Sequence, residues 1–355
     1  MENRFTLQFH EPQFKTWSSD NFFISTILPK DTAYHWYMNF YVNTLGVVKT
    51  EDDNAPPSVL FHPSCIPTTS QFLCNVWDLC PFVDKNTLNR EIVKTSYPTF
   101  CDFVTDFVSQ GYFVDATFSQ TKIRGRNYSH KAYITGFDRD LQEVYLADHI
   151  DNGRFQHFTM RFDDLNHAFL EADEFIPLFD KDHQMEENSI YLIKPKDFHY
   201  EFDCGLFSQF LKDYLNSDPG TGFLAKIRNT PFRKDAFCYG LEIYDIIEAY
   251  LDKILYKPNY INENRIDDRI FTFLYDHKLT MQKRIQYLIE EQNFKLEPLL
   301  APAGECVDYA TMCFNLYLKF GFTYRKENVE RIKNLLLGLK QMDISLCTEL
   351  IERVS

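Results

Sequence analysis

The apolar residues of this 355-residue chain change their period once, and that change fixes most of what it can fold into. Between residues 130 and 195 they recur at every second position, the spacing of half-buried strands. Beyond Pro195 they recur at three- and four-residue spacing, the spacing of packed helices. Segments 132–137 and 143–148 flank the turn Asp138-Arg139-Asp140 and read as a hairpin. Segments 112–117 and 158–162 are further strands, 163–170 is a short helix, and 189–193 closes the sheet. Upstream, 99–110 reads as a helix stopped by Gly111, 50–58 is a loop by composition, and residues 1–20 form a lead-in strand or arm. In the second half, 207–216, 240–255, 265–291, 306–320 and 326–353 read as helices, with breaks at 217–222 and at Ala301-Pro302-Ala303-Gly304. The expectation is an α+β domain over residues 1–197 followed by an α-helical domain over 198–355.

Composition narrows the function. Hydrophobic residues make up 45% of the chain and aromatics 16%, with 34 Phe and 21 Tyr, so core and pockets are built largely from rings. A net charge of −14 argues against sequence-independent nucleic-acid binding and against an anionic membrane surface. Lys122, Arg124 and Arg126 alternate just before His130, and read either as a solvated strand face or as a docking patch for an acidic carrier protein. The nine cysteines are odd in number and form no CxxC pair, and no secretory h-region or eighteen-residue apolar run occurs. The expected location is therefore cytoplasmic, with reduced thiols. No metal-ligand cluster, phosphate loop or GxSxG elbow appears, so neither a metal nor bound ATP is expected.

One constellation carries chemistry. Residues 31–46 read as a helix capped by Asp31 or Thr32 and followed by Gly46. His130 enters one hairpin strand and Asp148 ends the next, which places the two side by side. A nucleophile on a helix N-terminus, then His, then Asp is the chain order of a papain-like site. The helix dipole lowers a thiol's pKa, His exchanges the proton, and the carboxylate fixes the His tautomer. Cys65, Cys74, Cys80 and Cys101 are lesser candidates for the nucleophile, Cys74 and Cys80 reading better as core. His277 reads as a packing residue, and His149 as pointing away from Asp148.

The stretches Gly111-Tyr112-Phe113-Val114-Asp115, Ser129-His130-Lys131-Ala132-Tyr133-Ile134-Thr135-Gly136-Phe137-Asp138 and Val144-Tyr145-Leu146-Ala147-Asp148 carry a resemblance. With Asp276-His277-Lys278-Leu279-Thr280-Met281-Gln282-Lys283-Arg284 and Asn315-Leu316-Tyr317-Leu318-Lys319, the chain resembles the butirosin-biosynthesis-H-like acyltransferases over most of residues 30–350. These are papain-like cysteine-protease homologues of thiotemplated natural-product assembly, and the amide-forming enzyme of closthioamide-type assembly resembles the same group.

The resemblance implies a papain-like domain with a helical appendage, and amide-forming transfer of an acyl group from a carrier-protein thioester to an amine. The phosphopantetheine arm of an acyl carrier protein would bring the substrate, and no other cofactor is implied. His130 would be base and acid and Asp148 its orienter. Thr32, Asp115 and Tyr128 would contact substrate, with the amides near Thr32 and Ala33 forming part of an oxyanion hole. Relatives carry Cys thirteen residues before the Gly after the helix. Counted from Gly46, that position is Ala33. Three readings follow: a Cys→Ala substitution that traps substrate, a natural binding protein without turnover, or a different register. A cysteine protease or thioester hydrolase on the same fold, and a non-catalytic metabolite-binding protein, are the rival functions.

Overall fold

The computed structural model describes residues 3–47, 56–62, 76–150, 154–178, 187–220, 237–257, 260 and 267–354. In chain order the first elements are β1 (Arg4–Thr6), α1 (Ser18–Ile27), α2 (Ala33–Phe40), β2 (Thr44–Val47), β3 (Ser58–Phe61) and α3 (Val76–Leu79). Next come β4 (Val83–Asn89), α4 (Arg90–Ser96), α5 (Phe100–Ser109), β5 (Phe113–Ser119), α6 (Thr121–Arg124), β6 (Ser129–Asp138), β7 (Glu143–Ile150), β8 (Arg154–Arg161) and α7 (Phe162–Glu171). The rest are β9 (Ser189–Pro195), α8 (Cys204–Leu215), β10 (Phe237–Tyr239), α9 (Glu242–Tyr256), α10 (Arg269–Glu290), α11 (Leu300–Thr323) and α12 (Lys326–Val354). The fold is mixed α and β with a helical C-terminal region. It divides into two units, residues 1–34 with 74–200 and residues 35–73 with 201–355. The expected boundary at 197 lies near the second division, but residues 35–73 group with the later helices rather than with the sheet.

The first unit is built on an antiparallel sheet in the order β4-β9-β5-β6-β7-β8. β1 pairs with residues 136–138 of β6, beyond the end of β5. The strand expected to close the sheet, β9, instead lies between β4 and β5. Helix α5 starts where its sequence says it should. The Thr99 hydroxyl accepts from the Asp102 amide and the Asp102 carboxylate accepts from the Thr99 amide, while Gly111 takes φ +89° past the end. Its apolar stripe, Phe100, Phe103, Val104 and Val108, packs with Leu165 and Phe169 of α7 over Val114, Ala116, Phe118, Ile134 and Leu146 of the sheet. Each such fully buried side chain contributes roughly 1.5–3 kcal/mol. The opposite face is aromatic: Phe22 of α1 stacks on Tyr133 at 3.7 Å and meets Phe113 edge-on at 5.5 Å.

The second unit contains the long helices α10, α11 and α12, which agree with the periodic segments, and also a three-stranded sheet, β10-β2-β3. Two expectations fail here for stated reasons. The helix read over 31–46 ends at Phe40, and Gly46 sits inside β2 opposite Cys238, where a Cβ would lie 2.4 Å from the Cys238 sulfur. Gly46 serves close packing and does not cap a helix. The stretch 301–304 is no break either: it falls in the first turn of α11, where the missing N–H of Pro302 has no intrahelical partner to lose.

Within this unit α10 also explains where α2 ends. Arg284, fully buried, donates from Nε to the Met38 carbonyl at 2.6 Å and from Nη2 to the Tyr41 carbonyl at 2.7 Å. His277 Nε2 donates to the Val42 carbonyl at 2.9 Å. The carbonyls left over at the helix end are thereby satisfied by side chains.

Candidate active site

His130 and Asp148 lie on the α5–α7 face of the sheet, at the end where β5 finishes and β6 begins. The register fixes this, because His130 pairs with Phe118 and Asp148 follows Leu146 by two residues, both partners being core residues of that face. His130 Nδ1 is 3.5 Å from Asp148 Oδ2. The same nitrogen is 2.7 Å from the Lys131 carbonyl. A carbonyl only accepts, so Nδ1 carries the proton and Nε2 is the open basic position. Nε2 has no hydrogen-bond partner among the described residues, and the imidazole is 41% exposed while the carboxylate is fully buried. Burial pulls the His130 pKa down, but the Asp148 carboxylate beside Nδ1 outweighs it and the net direction is up.

Asp148 is held on other sides as well. Its Oδ1 accepts from the His149 amide at 2.7 Å and its Oδ2 accepts from Arg124 Nη2 at 2.6 Å. Arg124 is no part of a solvated strand face, because residues 121–124 form the single turn α6, closed by Gly125 at φ +64°. Lys122 remains outside, half exposed and 3.9 Å from Asp164. The Tyr128 hydroxyl accepts from Arg124 Nη1 at 2.6 Å, so the residue expected to touch substrate is tied to this guanidinium. His149 alternates to the other face, as expected. Its Nε2 lies 3.5 Å from Asn21 Nδ2 on α1, and burial lowers its pKa to about 4. Asp115 lies on that face too, buried, with its carboxylate 3.9 Å from Lys131 Nζ.

Position 33 is elsewhere. Thr32 Oγ1 donates to the Phe198 carbonyl at 3.2 Å and accepts from the Tyr200 amide at 2.9 Å. The ring of Phe198 packs edge-on against Phe82, just before β4. Pro195 pairs with Val83, and Ile193 pairs with Phe113, so this segment lies beyond the end of the sheet where β5 begins. His130 lies opposite Phe118, and the five residue steps from Phe113 to Phe118 span about 16 Å. Ala33 is therefore at the opposite end of the sheet from His130, and a side chain there is outside hydrogen-bond reach of it. The expected oxyanion amides are also engaged, Thr32 N–H with Asp31 Oδ1 at 3.1 Å and Ala33 N–H with the Lys30 carbonyl at 3.2 Å.

The alternative nucleophiles fare no better. Cys80 and Cys101 are buried, and burial pushes both thiols up to about 12, the wrong direction for a thiolate. Cys65 and Cys74 lie outside the described residues. Among the described residues no group of three His, Cys, Asp or Glu could hold a metal ion, and no helix is long and apolar enough to cross a membrane. Comparison of the chain with protein-family profiles and with curated proteins finds no match.

Proposed function

We propose that the first unit catalyses acyl transfer from a thioester to an amine, with His130 as general base and acid and Asp148 as its orienter. The observation that carries the reading is the pairing of a part-exposed imidazole, open at Nε2, with a fully buried carboxylate at 3.5 Å. The reading draws on the part of the papain-like plan that places His and Asp on adjacent strands, and on the resemblance to the acyltransferases. It does not draw on position 33. With position 33 at the other end of the sheet, and with the described cysteines of this unit, Cys80 and Cys101, buried and high in pKa, the amine attacks the thioester carbonyl directly. The C–N bond forms as the C–S bond breaks, His130 Nε2 takes the amine proton, and the departing thiolate leaves as a thiol with that proton. Thioester energy drives the step.

The test is amide formation from a short acyl-pantetheine thioester and a primary amine, followed by mass spectrometry. His130→Ala is expected to slow it about 100-fold or more, the usual worth of a positioned acid–base group. A native rate no faster than that of His130→Ala ends the proposal. It would favour the second reading, a protein that binds a metabolite without turnover, which the absence of a low-pKa thiol among the described cysteines of this unit supports.

A further inference from the structure

Asp148 has a stronger partner than the histidine it faces. Arg124 Nη2 is 2.6 Å from Oδ2, whereas His130 Nδ1 is 3.5 Å from the same oxygen. The loop carrying Arg124 is closed on itself: the Gln120 amide donates to the Tyr128 carbonyl at 2.8 Å, the Arg124 amide donates to the Gln120 carbonyl at 2.8 Å, and Gly125 reverses the chain in the left-handed region. The guanidinium is thus clamped, with Nη1 on the Tyr128 hydroxyl at 2.6 Å and Nη2 also donating to the His149 carbonyl. Asp148 Oδ1 is fixed by the His149 amide, so Arg124 decides where Oδ2 points.

We propose that Arg124 is the positioning residue of this site: clamped by Tyr128 and the His149 carbonyl, it holds Asp148 Oδ2 against His130 Nδ1. The inference rests on the reading of His130 and Asp148 as a functional pair, but its test needs neither substrate nor turnover. Loss of amide formation and loss of positioning are separate outcomes.

Among the described residues the charged and titratable groups around the imidazole are Asp148 and His149 from β7 and Arg124 from α6, with Tyr128 just before β6. The experiment is NMR titration of the His130 ring in the full chain, with and without Asp148→Asn, in the native and Arg124→Met backgrounds. With Arg124 present, Asp148→Asn is expected to weaken proton binding by His130 about tenfold. In Arg124→Met that loss shrinks to about threefold or less, because the carboxylate no longer faces the ring. If Arg124 acts only through its charge, the loss stays the same or grows, since nothing then competes for the carboxylate, and the proposal falls. Should Arg124→Met fail to fold, Tyr128→Phe removes one side of the clamp and keeps the charge. A smaller Asp148→Asn effect there supports positioning, and an unchanged one overturns it.

Discussion

Replacing Lys278 by Met tests the most deeply buried ion pair among the described residues of the second unit. Lys278 Nζ and Asp343 Oδ2 form an ion pair with side chains 1% and 0% exposed. Tyr214 and Tyr244 donate their hydroxyls to the same oxygen, the latter at 3.1 Å, and Lys278 Nζ also lies 3.2 Å from the Tyr214 hydroxyl. Four helices, α8, α9, α10 and α12, so converge on one carboxylate. Removing one partner of a buried pair costs roughly 3–5 kcal/mol. The stranded carboxyl can escape by protonating, and at pH 7 that costs about 4 kcal/mol for an acid whose ordinary value is 3.8. The expected loss is therefore about 3–4 kcal/mol at pH 7. At pH 5 the protonation cost falls to under about 2 kcal/mol, and the loss should fall with it. The native pair stays intact over this range. Despite burial, Lys278 and the hydrogen bonds hold Asp343 below its ordinary pKa, so its contribution is present above that value and disappears only as pH falls through the lower one. Urea unfolding followed by far-UV circular dichroism at the two pH values measures the effect. Adding Asp343→Asn to Lys278→Met, which leaves an acceptor for both tyrosines, should recover at least half of it. A loss under about 1 kcal/mol, or a loss independent of pH with no recovery in the double variant, would refute the reasoning.

Two other outcomes follow from the buried titratable groups and from the placement of position 33. Burial lowers His62 and His149 to about 4 and His277 to about 3, so each is neutral when folded and protonates on unfolding below about 6.5. Stability must then fall as pH drops from about 6.5 toward 4, by on the order of 3 kcal/mol for each of the two most buried, His62 and His277, at full extent. His130, raised by Asp148, acts in the opposite sense and loses its contribution as pH rises. Urea midpoints at pH 7.5 and 5.0 check this, and equal midpoints would contradict it. Ala33→Cys should gain no acyl adduct over the native chain when exposed to an acyl-pantetheine thioester and analysed by intact mass. An adduct at position 33 that disappears with His130→Ala would overturn the sheet-end argument.

What could be read from the sequence was whatever depends on neighbours along the chain. The Thr99–Asp102 box and Gly111 delimit α5, and the Asp138–Asp140 turn fixes the hairpin that brings His130 to Asp148. The misreadings share one cause, that a residue type serves two geometries. Gly46 ends helices in general but here admits the Cys238 sulfur of a paired strand. Pro302 breaks helix interiors yet fits a first turn. Arg124 and its alternate basic neighbours look like a strand face until Gly125 closes a turn. Helix α1 escaped notice because Trp17 precedes it without a side-chain cap. β2, β3 and β10 are only three or four residues long, too short to display a period. The station at Ala33 failed for a different reason: its distance from His130 depends on β9 lying between β4 and β5, a strand order that no local pattern encodes.

The motif over 276–284 illustrates why a resemblance in helical segments says little about chemistry here. His277 and Arg284 spend their donors on carbonyls at the end of α2, and Lys278 spends its charge on Asp343. Each of these residue types is explained by a buried polar group that needed a partner. Asp343 and Asp148 are both fully buried and both hold a cation, so burial alone does not tell a structural carboxylate from a functional one. Their neighbours do. Lys278, Tyr214 and Tyr244 around Asp343 are themselves buried, leaving no group that a substrate can reach. Around Asp148 the chain ends in an imidazole that is 41% exposed and open at Nε2. Of the two arrangements only the one at Asp148 ends in a part-exposed titratable group, and for that reason the candidate site is placed at His130.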